Sequence, residues 1–129
     1  MKLPLSILGL LLASPSYAAD LSGSNNSEMA AIFKADQADR STQPIHWDVV
    51  RAADGKRRDR TKQLLDSGAL RTGDDFYEAA FVFQHGEAAN DYLKAHVLAV
   101  VAVAKGQPDA PWIAAATLDR YLQLSLIHI

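Results

Sequence analysis

The 129-residue chain contains no cysteine. No disulfide can hold it together, no thiolate can act as a nucleophile, and no cysteine-bearing zinc site can form. Other absences narrow the chemistry further. There is no GxSxG elbow for a serine nucleophile, no Gly-rich phosphate-cradling loop, and no HExxH pair at metal-ligand spacing. No stretch between residues 20 and 123 alternates convincingly with period two, so that span offers no half-buried strand. A strong charge of one sign is missing as well: 13 Lys and Arg stand against 15 Asp and Glu, a formal net charge of −2. Such a balance gives no global argument for nucleic acid or for an anionic membrane.

What is present begins with "MKLPLSILGLLLASPSYAAD". One early charge, Lys2, precedes an apolar run from Leu3 to Ala13, and a small-residue exit follows with Ser16 and Ala18 at the −3 and −1 positions of a cut. This is the plan of a secretory signal peptide over residues 1–18. The competing readings are a buried core helix or a retained anchor, although the run is short for a span of ~20 residues. The expectation is cleavage after Ala18 and export to the periplasm or extracellular space, with no stable membrane insertion afterwards. Removing Lys2 with a segment that holds no acid takes the formal charge from −2 to −3. An exported chain without disulfides must rely on packing. The remaining ~110 residues can manage it, since domains of this size bury somewhat over 60% of their extended-chain surface.

From residue 19 to 27 the chain is polar and reads as a flexible lead-in; the helical domain is expected over 28–123. Ser27 is the N-cap candidate for "EMAAIFKADQADR", whose Met29, Ile32 and Phe33 share a face. After Pro44, a second helix runs from about His46 or Asp48 to Asp66 and stops at Gly68, with a kink or break considered at Gly55. "RTGDDFYEAAFVFQHG" gives a third helix, with Asp74 and Asp75 at its positive end and Gly86 closing it. A fourth runs from near Asn90 to Lys105, and a fifth opens at Pro111. The expected class is all-α: about five short helices in antiparallel hairpins, loosely tetratricopeptide- or Sel1-like. Ala79, Ala80, Ala95, Ala99 and Ala114 to Ala116 would let neighbouring helices approach closely.

Candidate chemistry gathers on the later helices. His85, in "FQHG", sits at a helix C-terminus, where an imidazole can bond the last free carbonyls without any substrate. The functional alternative uses the next helix, where Asp91 opens the first turn of "NDYLKAHV" and Tyr92 and His96 are i, i+4 neighbours. Gln84, His85, Asp91, Tyr92, His96, Asp119 and Arg120 form the candidate polar cluster, with His85, His96, Asp91 and Asp119 as catalytic candidates. Asp119 and Arg120 stand among Leu118, Tyr121 and Leu122, which suggests partial burial and pairing with His96 or Gln84. His46 is read as seating its helix. The run "KRRDRTK" (Lys56, Arg57, Arg58, Arg60, Lys62) reads as a solvated helix face with i, i+4 partners or, alternatively, a docking patch for an acidic partner. No metal site and no cofactor are expected.

"FVFQHG", "DYLKAHVLA" and "WIAAATLDRYL", with the upstream "RRDRTKQLLDSGAL", resemble a bacterial domain family of unknown function. Its members carry QHG, DYxxAH and DRxL in this order, and the likeness covers about Met29 to Gln123. It implies the same polar set, with no activity attached. Members continue past DRxL to a Gly-Thr-Gln, which does not follow Tyr121 here.

Two functions stay open. One is an exported module for binding a protein or peptide, with the polar set holding the helices. The other is a hydrolase-like enzyme, with His85 or His96 as general base and Asp91 or Asp119 orienting it. The closing "LSLIHI" alternates like a short strand. It is also the translation of CTG TCT CTT ATA CAC ATC, the start of a transposase adapter used in sequencing libraries. Residues 124–129 are therefore expected to be adapter read-through on a truncated fragment, and His128 is excluded from the site.

Overall fold

A computed structural model describes residues 23–127; the signal-peptide segment and residues 19–22 of the lead-in, like His128, lie outside the described residues. The all-α expectation holds. Five helices, α1 (Ser27–Ser41), α2 (Trp47–Asp66), α3 (Gly73–Gln84), α4 (Ala89–Ala104) and α5 (Ala110–Leu126), account for the fold, with no strand among the described residues. Helix α3 is the hub: α1, α2, α4 and α5 all pack on it, and α4 and α5 also pack closely together.

Asn26, rather than Ser27, caps α1: its Oδ1 accepts from Met29 N at 2.9 Å. This end of the lead-in is tied down. Asn26 N donates to Asp75 Oδ1 at 2.7 Å, and Asn25 Nδ2 donates to Asp74 Oδ2 at 2.8 Å. Asp75 is fully buried and also closes a capping box with Thr72 at the start of α3. Burial pushes its carboxyl up, but backbone N–H groups of Arg71, Thr72 and Asn26 and the Thr72 hydroxyl outweigh burial and hold it below the usual range.

Small residues let the helices approach. Ala79, Ala80, Ala95, Ala99, Ala102 and Ala110 are completely buried, and Ala114 nearly so, while Ala115 lies exposed. Between them sit Met29, Val82, Phe83, Leu98 and Ile113, each worth roughly 1.5–3 kcal/mol when taken from water. Helix α2 runs unbroken through Gly55. Its inner stripe is mixed: Val50, Asp54, Thr61 and Leu64 are buried at alternating four- and three-residue spacing, with Arg57 between them.

Two glycines end helices in the left-handed region, Gly68 (φ 68°) after α2 and Gly106 (φ 82°) after α4. Gly86 stands just past the end of α3 as expected, its N–H donating to the Phe83 carbonyl at 2.9 Å, but without a positive φ. It is needed because α3 and α4 meet there: an added Cβ would fall inside the side chain of Asp91. The strand-like alternation at the C-terminus is also not realised, since Leu124 to Leu126 continue α5.

Candidate functional site

Helix α1 places its apolar residues Met29, Ile32 and Phe33 inward, and the same face then continues into Asp36 and Arg40. Asp36 is completely buried. A buried carboxylate needs partners, and three groups supply them. His85 Nδ1 lies 2.9 Å from Asp36 Oδ1, Arg40 Nη1 lies 3.1 Å from the same oxygen, and Gln37 Nε2 donates to Oδ2 at 2.9 Å. Arg40 then reaches α2, with Nη2 2.6 Å from Asp54 Oδ2, and Arg57 holds the other oxygen of Asp54 at 3.0 Å while pairing with Asp39. Arg58 Nη1 donates to the His85 carbonyl at 2.9 Å and closes the end of α3. This chain of charges locks α1, α2 and the α3 terminus together.

The "KRRDRTK" run is therefore not simply a solvated face. Lys62 has its expected i, i+4 partner, Asp66, at 2.5 Å. Arg57 and Arg58, however, turn inward, and Arg60 bridges to Glu28 at 2.5 Å. Asp36 responds to the network. Burial would raise its pKa, yet the hydrogen bond from His85, the charges of His85 and Arg40, and the Gln37 bond hold it below the ordinary value.

Above the network opens a cleft of about 780 Å³. Trp47 and Arg51 at the start of α2, Gln84 and His85 at the end of α3, Tyr92 on α4, and Asp119 and Arg120 on α5 line it. Five of the seven sequence candidates thus converge: Gln84, His85, Tyr92, Asp119 and Arg120. Asp91 and His96 do not line it. Asp91 Oδ2 accepts from Glu87 N and Ala88 N, both at 3.2 Å, and so caps the first turn of α4. His96 Nδ1 donates to the Ala114 carbonyl at 2.8 Å and ties α4 to α5. The expected pairing of Asp119 and Arg120 with His96 or Gln84 is not found. Both are exposed: Asp119 accepts from Gln123 Nε2 at 2.7 Å, and Arg120 lies 5.8 Å over the Tyr92 ring. His46 leads α2 without a side-chain cap bond.

Besides the carboxylates of Asp54, Glu87 and Asp119, the cleft offers four kinds of group. Arg51 and Arg120 are cations with no acidic partner among the described residues. Trp47, 51% exposed, and Tyr92 supply aromatic faces, and Tyr92 is fixed by donating its hydroxyl to the Gly86 carbonyl at 3.0 Å. Gln84 Oε1 is a buried acceptor left without a partner. His85 has one nitrogen committed to Asp36, which leaves Nε2 as the ring atom open to a ligand. No family model, curated protein or solved structure matches the chain.

Among the described residues the lining includes no Ser, Thr or Cys, which leaves water or a lining carboxylate, imidazole or phenol as the nucleophile of any reaction there. Among the described residues, no group of three or more His, Asp or Glu side chains is arranged to hold a metal ion. Sequence reasoning missed Asp36, Arg40, Asp54, Trp47 and Arg51. For Asp36 and Arg40 a signal existed: they continue the spacing of Met29, Ile32 and Phe33 where apolar residues are due.

Proposed function

We propose that this chain is an exported helical module that binds a peptide or protein segment, and that its cleft receives an acidic part of that ligand. The observation that carries the reading is the pair Arg51 and Arg120 across a cleft with aromatic faces. Guanidinium groups without acidic partners among the described residues match carboxylates bidentately, and aromatic surfaces add contact area at low entropic cost. Most of the other candidates already have structural work. His96 ties α4 to α5, Asp91 caps its own helix and the Tyr92 hydroxyl holds the Gly86 turn, which is scaffolding rather than chemistry.

A further feature supports an interaction role. Leu93, Val97, Val100 and Val103 form an exposed apolar stripe along α4, the kind of face that helical-hairpin proteins bury against a neighbour. The tetratricopeptide-like texture, the family likeness carried by QHG, DYxxAH and DRxL, and export by the N-terminal segment belong to the same proposal. No helix among the described residues is long and apolar enough to cross a membrane.

A peptide array displaying free acidic C-termini beside amidated and neutral ones tests the proposal. Selective capture of the acidic, free-ended members supports it, and capture indifferent to charge sinks it.

One observation favours a second reading, that of a hydrolase. Asp36 and His85 form a carboxylate–imidazole pair with Nε2 open to the cleft, as a general base acting on water requires. Here Asp36, not Asp91 or Asp119, would orient the base. Turnover of a bound peptide by the native chain, lost in His85→Gln, would decide for it.

A further inference from the structure

A second concavity lies away from the charged cleft, where the start of α5 meets the middle of α3. Its volume is about 540 Å³, and Tyr77, Phe81, Pro108, Asp109, Pro111 and Trp112 line it. Three of these are aromatic rings, two are prolines that stiffen the rim, and one is an acid.

The rings are held in place from behind. Phe33 on α1 meets Tyr77 at 6.2 Å and Phe81 at 5.5 Å between centroids, and Tyr77 meets Phe81 at 5.0 Å, all edge to face. Trp112 completes the set, near-parallel to Phe81 at 6.3 Å and 21°. Yet Trp112 is 65% exposed, the largest apolar side chain that the fold leaves so open. Burying the indole would have stabilised the domain, so folding alone does not account for its position.

Asp109 gives the pocket its sign. Its carboxylate has no hydrogen-bond or ion-pair partner among the described residues; only its backbone N–H is engaged, donating to Gln107 Oε1 at 2.6 Å. Its charge reaches the rings: burial first, then Asp109, pushes the Tyr77 hydroxyl above its usual pKa. Ring faces are electron-rich, and a carboxylate beside them adds a full negative charge. Such a site selects a cation, and one with a bulky, weakly hydrated head over a compact, strongly hydrated ion.

We propose that Tyr77, Phe81, Trp112 and Asp109 form a binding site for a small methylated ammonium ion, free in solution. The three rings contact the methyl groups through cation–π attraction while Asp109 balances the charge. The site is chemically opposite to the Arg51–Arg120 cleft and stands independently of it. Eight residues separate Trp112 from Arg120 along α5, about 12 Å of helix.

The chain has two tryptophans, so Trp47→Phe leaves Trp112 as a private fluorescence reporter. That variant is titrated with choline chloride, with 3,3-dimethylbutan-1-ol as the neutral isostere, and with sodium chloride at matched ionic strength. The expected result is a saturable change with choline, at least tenfold weaker with the isostere, and none with sodium chloride. Adding Asp109→Asn weakens choline binding at least fivefold. Asp109 is exposed and makes no cap bond, so the helix forms without its charge. No saturable change with choline would overturn the proposal, as would equal binding of the isostere or indifference to Asp109→Asn. Tighter binding of a trimethyl-lysine peptide than of choline would overturn the assignment to a free solute.

Discussion

His85 Nδ1 and Asp36 Oδ1 lie 2.9 Å apart although 49 residues separate them in the chain. The bond fixes the imidazole at the edge of the cleft and gives a fully buried carboxylate one of its partners. Through Asp36 it also joins the α3 terminus to Arg40, Asp54 and Arg57.

Asp36→Ala leaves Arg40 and His85 facing a hole. Removing one member of a buried pair costs about 3–5 kcal/mol, so the variant should lose a large part of the domain's stability in denaturant melts. In the native chain the pKa of Asp36 is lowered on folding. Its contribution is therefore present above the unfolded value of ~3.9 and is lost as pH falls through the lower native value. Melts between pH 6 and pH 2 should show that loss in the native chain, and a shallower slope in Asp36→Ala. Equal slopes would contradict the assignment.

Glu78 titrates in the opposite sense. Burial first, then the charges of Asp75 and Asp74, raise its carboxyl from 4.5 to about 7, and its Oε2 is buried without a partner. The folded state therefore holds the proton more tightly than the unfolded chain, and stability falls as pH rises from about 4.5 to about 7. Glu78→Gln removes the penalty. It should raise stability by about 1–2 kcal/mol at pH 8 and change little at pH 4. A gain of the same size at both values would show that charge is not the cause.

Gly86 and Gly55 make an internal contrast. At Gly86 an added methyl group collides with Asp91, whose carboxylate caps α4, so Gly86→Ala should cost about 1–3 kcal/mol. At Gly55, mid-helix in α2, nothing lies within 4 Å of an added Cβ, and Gly55→Ala should stabilise by about 0.5–1 kcal/mol. Two urea melts compare them. Equal effects of one sign would be inconsistent with this packing.

His96 separates scaffold from site. His96→Ala removes the bond to the Ala114 carbonyl and should lower stability by about 1 kcal/mol while leaving ligand affinity in the cleft unchanged. Loss of binding at unchanged stability would restore His96 to the site.

The helices were legible in the sequence because their signals are local. Apolar spacing, the acids Asp74 and Asp75, Gly68 and Pro111 each act within one or two turns, and the observed helices agree with them to a residue or two, apart from the C-terminal extension of α5. The site was legible in part for the same reason. Gln84, His85 and Tyr92 are brought together by one short turn, and that turn could be read. Asp36 could not be assigned to His85, because that pairing depends on how α1 crosses α3, a long-range fact that composition and spacing do not carry. Apolar sequence neighbours suggest partial burial of Asp119 and Arg120, yet both are exposed. On a helix those neighbours point elsewhere, and both residues face the cleft mouth.

The central claim is that Arg51 and Arg120 receive an acidic ligand. The most direct measurement is isothermal titration of one array-selected acidic peptide into the native chain and into Arg51→Ala/Arg120→Ala, with thermal melts of both. Both side chains are exposed and carry no structural ion pair among the described residues, so the melts should coincide. The account predicts affinity at least tenfold weaker in the double variant. Equal affinity at equal stability would contradict it.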